Sequence, residues 1–345
     1  MKPMYKKMMK LALMSMVTGG LMLTGPLGFA APEKPQVHVD SATKDMPGHV
    51  DSKVLTVPAT TTEIGLISNV VYEQVPSRGY PNVPMQMDIL QPKTQQKKPA
   101  IVFVTGGGFI NANKDNGLQL RMHLAEHGYV VGSINYRVAP TARFPEPLED
   151  VKAAIRYLKA NADRFGIDPA RVGIVGGSAG GYLTAMAGTT SGTKTFDKGE
   201  NLQVTSDVKA AVDLYGLSDL TQVGADFSAD VQARHRSAGA TEALWVNGSP
   251  VFGGRDGGIL ADKQAADAAN PIHYISKTSA PMLLMHGTAD TIVSPSQTDL
   301  LFQALQQKGI PSERYLVTGA GHGGKYWVQE PVLKIITDFF DHYLK

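Results

Sequence analysis

In Val172-Gly-Ile-Val-Gly-Gly-Ser-Ala-Gly-Gly181 an apolar run breaks into glycines around one serine and then becomes helical, a sequence that few folds accommodate. Arg171 to Val175 is rich in β-branched residues and reads as a strand, while Tyr182-Leu-Thr-Ala-Met-Ala-Gly188 reads as a helix. Between them, Gly176-x-Ser178-x-Gly180 spells a turn too tight for side chains on either flank, which holds the serine hydroxyl clear of the sheet. Without that setting the same letters would mark only a glycine-rich turn. With a strand before it and a helix after it, Ser178 is a candidate nucleophile.

The rest of the chain repeats the strand-helix rhythm. Val70 to Val75 and Met85 to Leu90 suggest an opening hairpin joined by Pro76-Ser-Arg-Gly-Tyr-Pro-Asn82, which has loop chemistry. Ala100-Ile-Val-Phe-Val-Thr105 is a continuous apolar run suited to a strand buried on both faces. A helix is expected over Leu118 to His127, a strand over Val130 to Tyr136 and a helix over Leu148 to Phe165. Beyond the serine turn, strands are expected at Val208 to Tyr215, Pro281 to Met285 and Glu313 to Val317. Helices are expected at Gln297 to Lys308 and Pro331 to Leu344. This alternation predicts an α/β fold with a mostly parallel central sheet and helices on both faces, its site at the carboxyl ends of the strands.

The interval from about 218 to 275 breaks the rhythm and is read as a small cap insertion over the site, in which Phe227, Leu244, Trp245 and Phe252 either line an apolar entrance or pack the cap against the core. Phe109 and Trp245 are the substrate-binding candidates. Residues 62–345 then make one domain. Ahead of it, residues 1–30 read as a secretory signal peptide: Lys2, Lys6, Lys7 and Lys10 precede an apolar stretch from Leu11 to Leu23, and Gly28-Phe-Ala30 offers a cleavage site. Residues 31–61, rich in Pro, Thr, Asp, Ser and Lys, read as a flexible leader, with His38 and His49 as solvated tail residues. The expected location is secreted or periplasmic, with no stable membrane insertion after cleavage.

The chain has no cysteine, which rules out disulfides, thiolate metal sites and a cysteine nucleophile. Its formal charge of +2 is nearly balanced and its basic residues are scattered, so no nucleic-acid surface is expected. No P-loop pattern is present. No cofactor and no metal are expected. His123 and His127 are four apart, a spacing able to bind metal, but they lack a third candidate ligand nearby and read as surface residues.

A serine hydroxyl needs a base to take its proton, normally a histidine oriented by a buried carboxylate. His322, in Gly319-Ala-Gly-His-Gly-Gly324, follows the last strand, where flanking glycines let a loop carry the imidazole to the turn. Asp290, in His286-Gly-Thr-Ala-Asp290, follows the preceding strand; Asp213 and Asp219 also follow a strand and are alternative acids. His286 ends an apolar run and reads as a buried structural histidine. Thr105-Gly-Gly-Gly-Phe109 can bring main-chain donors to a substrate carbonyl, which assigns an oxyanion hole to the N–H groups of Gly107, Gly108 and Ala179.

From about Val71 to its end the chain resembles the bacterial esterase branch of the α/β-hydrolases, which includes hormone-sensitive-lipase-like carboxylesterases and BD-FAE-type feruloyl esterases. The resemblance rests on Thr105–Phe109, Ile134-Asn-Tyr-Arg-Val-Ala-Pro140, Phe144-Pro-Glu-Pro-Leu-Glu-Asp150, Ile167-Asp-Pro-Ala-Arg-Val172, the serine turn, His286–Asp290 and Gly319–His322. It implies Ser178 as nucleophile, Asp290 as acid and His322 as base, and the order Ser, Asp, His matches that fold. Two departures stand out. Thr105 replaces the usual histidine of His-Gly-Gly-Gly, so any brace it gives the oxyanion loop must come from elsewhere. The turn reads Gly-Gly-Ser where many lipase-like members have Gly-Asp-Ser, closer to feruloyl and tannin esterases.

The expectation is therefore a secreted serine esterase acting on a small-molecule ester, plant-derived, with acetyl, feruloyl or galloyl groups. The alternatives are a prolyl-oligopeptidase-type peptidase, for which no propeller domain has room, and a non-catalytic binding protein of the same fold.

Overall fold

Eight strands form one sheet in the order β1-β2-β4-β3-β5-β6-β7-β8. They are β1 (Ile64–Ser77), β2 (Tyr80–Pro92), β3 (Lys98–Val104), β4 (Val130–Ile134), β5 (Ile167–Gly177), β6 (Ala211–Leu214), β7 (Met282–Gly287) and β8 (Ser312–Val317). β1, β2 and β4 pair antiparallel, and every pairing from β4 through β3 to β8 is parallel. The structure is a computed structural model that describes residues 55–77 and 79–345. The expected signal peptide, His38 and His49 lie outside the described residues, as does most of the expected leader; residues 55–60 are exposed. Everything below concerns Thr61–Lys345, which cluster as one unit.

The central strands are mostly apolar because both faces are covered. In β3, Ala100, Val102 and Val104 face one core, while Ile101 and Phe103 face the other. β7 splits the same way, Met282 and Leu284 against Leu283 and Met285. On the first face lie α2 (Glu146–Ala160), α4 (Ala179–Thr189) and α8 (Ser296–Gln307), contributing Leu148, Val151, Leu183, Met186, Leu301 and Leu305. On the second lie α1 (Leu118–Glu126) and α9 (Glu330–Leu344), contributing Leu124, Ile336 and Phe340. This is the α/β-hydrolase fold.

Two expectations need correction. The loop expected over 76–82 shrinks to two residues, because β1 runs through Pro76 to Ser77 and β2 resumes at Tyr80 before Pro81. Here both strands overhang β4, which pairs with β2 only from Met87 to Leu90, so neither proline meets a strand on its outer side. The helix expected over 148–165 is interrupted at Asn161, which ends α2 and starts a short α3 (Ala162–Phe165). The interval 218–275 contains α5 (Ala229–His235), α6 (Thr241–Asn247) and α7 (Lys263–Ala268) and packs into the first core through Leu220, Val246, Ile259 and Ala269.

Candidate active site

β5 ends at Gly177 and α4 starts at Ala179, so Ser178 alone makes the corner, at φ 58° and ψ −124°. A non-glycine residue in that region costs on the order of 1–3 kcal/mol and persists only when its surroundings dictate it. Here the Ser178 N–H donates to Leu214 O at 2.9 Å, and its carbonyl accepts from the Tyr182 N–H at 2.9 Å. The flanking glycines are needed for closeness: a Cβ on Gly176 would sit 2.3 Å from Gly180 O, and one on Gly180 2.1 Å from Val104 O.

The corner points the hydroxyl at His322. Ser178 Oγ lies 2.8 Å from His322 Nε2, and His322 Nδ1 lies 2.7 Å from Asp290 Oδ2. A carboxylate only accepts, so Nδ1 carries the proton and Nε2 is left to accept from the serine. Asp290 Oδ1 accepts the N–H groups of Ile292 and Val293 at 2.9 and 3.0 Å. Burial raises the pKa of the Asp290 carboxyl, but hydrogen bonds from His286 and His322 outweigh it and hold the group well below the usual carboxylate range.

The alternative acids are engaged elsewhere. Asp213 Oδ1 accepts the Gly216 N–H at 2.9 Å, and Asp219 accepts from Thr221, Gln222 and Asn270. His286 is buried, as expected, yet it also touches the site: its Nε2 is 3.2 Å from Asp290 Oδ2. His123 and His127 stack on each other at 4.1 Å, and His123 Nε2 pairs with Thr337 Oγ1.

Facing Ser178 is the loop after β3. A Cβ on Gly107 would meet Asn111 O at 2.1 Å, because the loop closes on itself through hydrogen bonds from Ile110 and Asn111 to Gly107 O. The brace that a histidine at 105 would supply is replaced twice. Tyr136 Oη donates to Thr105 O at 2.8 Å, and Asn116 Nδ2 donates to Thr105 Oγ1 at 3.3 Å. Gly107 and Gly108 border the same cavity as Ser178. Ala179 opens α4, where an amide has no partner within the helix.

Above these groups opens a cavity of about 630 Å³. Phe103, Leu118, Tyr215, Ile292, Trp327 and Val328 supply its apolar wall, and Asn116 and Gln119 add amides. No residue between 218 and 275 lines it. The two substrate-binding candidates lie elsewhere: Phe109 is 2% exposed and Trp245 fully buried, their rings 4.5 Å apart and both packed on Tyr182. Phe109 turns inward because its φ of 67° reverses the chain beyond the glycines.

Two aromatic residues at the site went unread in the sequence. Tyr215 packs edge-on against His322 at 4.9 Å and Trp327 at 4.5 Å, and Trp327 Nε1 donates to Gly321 O at 3.1 Å, tying down the base loop. The signal available for Trp327 was its place five residues after His322.

The chain is similar to known esterases. Residues 87–305 match the family model BD-FAE. Esterase LipC of Mycobacterium tuberculosis is 30% identical over 249 residues, covering 71% of this chain and 58% of that protein. Isoprenylcysteine alpha-carbonyl methylesterase ICME of Arabidopsis thaliana is 27% identical, covering 71% and 54%. The chain thus spans little more than half the length of these curated relatives. A truncated form of a carbohydrate esterase from gut microbiota superposes with a TM-score of 0.68 at 30% identity, covering 83% of this chain and 98% of that one. An esterase from Thermogutta terrifontis shares the fold at TM-score 0.61 and 24% identity.

Proposed function

The chain belongs to the BD-FAE family of α/β-hydrolases, and from that premise we propose that it is a secreted serine carboxylic-ester hydrolase. The observation that carries this is the run of contacts Ser178 Oγ to His322 Nε2 at 2.8 Å and Nδ1 to Asp290 at 2.7 Å, at the mouth of a cavity. Ser178 attacks the ester carbonyl while His322 takes its proton, and Asp290 stabilises the imidazolium. The developing oxyanion is met by the N–H groups of Gly107, Gly108 and Ala179, each worth on the order of 3 kcal/mol in the barrier. His322 then returns the proton to the leaving alcohol, and water releases the acyl-enzyme.

The substrates we propose are short-chain or aromatic acyl esters, of acetyl, feruloyl or galloyl type, carried on plant-derived alcohols. Support comes from the likeness to a carbohydrate esterase and from a cavity that pairs aromatic walls with amides. The test is hydrolysis by the protein and its Ser178→Ala variant on p-nitrophenyl acetate and longer acyl esters, methyl ferulate and methyl gallate. Turnover lost in the variant supports the mechanism, and the best ester assigns the acyl group. No serine-dependent turnover on any ester sinks the reading in favour of a binding protein or a peptidase. Export is tested separately, by the N-terminal sequence of protein recovered outside the cytoplasm, where a start at Ala31 is expected.

A further inference from the structure

Among the side chains around the cavity, the hydroxyl of Tyr215 has a place but no task within the fold. Tyr215 is the first residue after β6, with φ 43°, and its ring stands edge-on to both His322 and Trp327. The hydroxyl comes to rest between the two halves of the catalytic pair. A Cβ built on Gly177, just before the nucleophile, would lie 2.7 Å from it, and one on Gly323, just after the base, 3.6 Å. Gly177 has no side chain, and the space it leaves is where the hydroxyl sits. Among the described residues no hydrogen bond uses this hydroxyl, and Tyr215 lines the cavity.

The side on which it stands matters. The oxyanion of an ester under attack points to the Gly107 and Gly108 loop, and the departing oxygen must face His322 Nε2 to be protonated. Tyr215 packs on His322, so its hydroxyl borders the alcohol half of the ester. Burial, then the nearby carboxylates of Asp290 and Asp213, push its phenol up to about 12, so it is a neutral donor at physiological pH. An alcohol with a hydroxyl beside the ester oxygen would meet it; a plain alkyl alcohol would leave it unpaired.

Resting on the esterase reading above, we propose that Tyr215 shares a hydrogen bond with a hydroxyl on the alcohol portion of the substrate, so that the enzyme selects esters of sugars or other polyols over esters of simple alcohols. The cost of leaving a buried partner unpaired makes such contacts discriminating. Gln119 adds another amide to the cavity wall for the same polyhydroxyl group.

The test uses two esters with one acyl group, a mono-acetylated methyl xyloside and cyclohexyl acetate, and four proteins: the parent, Tyr215→Phe, Gly177→Ala and Ser178→Ala. Tyr215→Phe keeps the ring and its packing on His322 and removes only the hydroxyl; Gly177→Ala displaces the hydroxyl without removing it. The ratio of kcat/KM for the xyloside to that for cyclohexyl acetate is expected to fall about ten-fold in both variants. A ratio unchanged in Tyr215→Phe overturns the assignment, even if both rates drop together, since an equal drop means the hydroxyl serves only the packing of His322. Parent activity equal to that of Ser178→Ala on both esters overturns the esterase reading itself.

Discussion

His286 and His322 reach the same oxygen of Asp290, the first through Nε2 at 3.2 Å and the second through Nδ1 at 2.7 Å. His286 Nε2 also lies 3.1 Å from Val293 O, so it faces two acceptors and must carry the proton. Its Nδ1 faces the Thr298 hydroxyl at 3.2 Å. With the Ile292 and Val293 amides on the other oxygen, the carboxylate is fixed from three sides. A histidine that ends an apolar strand is therefore a positioning residue for the acid.

Replacing that donor should separate orientation from mere bulk. His286→Gln can offer an N–H near the place of Nε2, whereas His286→Leu fills space without one. We expect Leu to lower kcat about 10- to 100-fold with a much smaller change in KM, and Gln to retain most of the activity. The Asp290 carboxyl is held below its unfolded value of about 3.9, so its stabilisation is complete above about pH 4 and lost as pH falls through the folded value. Leu removes one of the bonds holding it down, and acid unfolding should begin at higher pH. Equal kinetic losses in Gln and Leu would assign His286 to packing alone.

The oxyanion loop gives a second prediction. Tyr136 Oη is the buried brace on Thr105 O, where that loop begins. Tyr136→Phe leaves that carbonyl without this donor and should loosen the loop. We expect kcat to fall about ten-fold across all esters, with KM nearly constant, since the loop serves the transition state more than the ground state. A kcat at the parent level in a folded Tyr136→Phe variant would show that Asn116 braces the loop unaided.

How much of this was legible follows from where each signal is stored. Ser178, His322 and Asp290 were readable because each sits in a short glycine-marked segment directly after a strand, and strand ends converge in a parallel sheet. Tyr215 carried no such mark: an aromatic residue closing an apolar run looks the same whether it faces core or cavity. Trp245 and Phe109 failed for the same reason in the opposite sense. Their exposure is decided by α6 and by the turn at Phe109, and composition encodes neither. The hairpin loop was overestimated because prolines read as loop chemistry, whereas an overhanging strand pair tolerates them.

The glycines around the serine give a third prediction, in which neighbours decide the outcome. Gly180→Ala would drive a Cβ to 2.1 Å from Val104 O and 2.7 Å from Thr105 O, both backbone atoms of the strand end the oxyanion loop springs from. Relief requires moving β3 or α4. At Gly108, with φ 59°, a Cβ meets nothing within 4 Å and faces only the conformational cost of about 1 kcal/mol. Thermal unfolding should therefore show Gly180→Ala destabilised by several kcal/mol or unable to fold, and Gly108→Ala shifted by a few degrees at most. Comparable shifts in the two variants would contradict so tight a crossing of α4 over the end of β3.

Asp213 supplies the last prediction, and its sign is opposite to that of Asp290. The side chain is fully buried beneath the serine turn: Oδ1 takes the Gly216 amide, and Oδ2 has no partner among the described residues. Burial pushes its carboxyl up to about 7, against about 3.9 in an unfolded chain. Between those values the folded protein holds a proton that the unfolded chain has released, so this residue makes stability fall as pH rises from about 4 to about 7, and level off above. Asp213→Asn keeps an oxygen for Gly216 and cannot ionise. The unpaired amide hydrogens it buries cost a pH-independent amount, so the slope is the test rather than the absolute stability. In urea unfolding from pH 4.5 to 8, the variant should gain on the parent by on the order of 2 kcal/mol as pH rises, and Glu73, also raised to about 7, cancels because both proteins contain it. Parallel curves would mean that Asp213 is ionised and paired in the folded state. A rising gap would place a neutral carboxylic acid beneath the nucleophile, where a second charge would otherwise compete with Asp290 for the imidazolium.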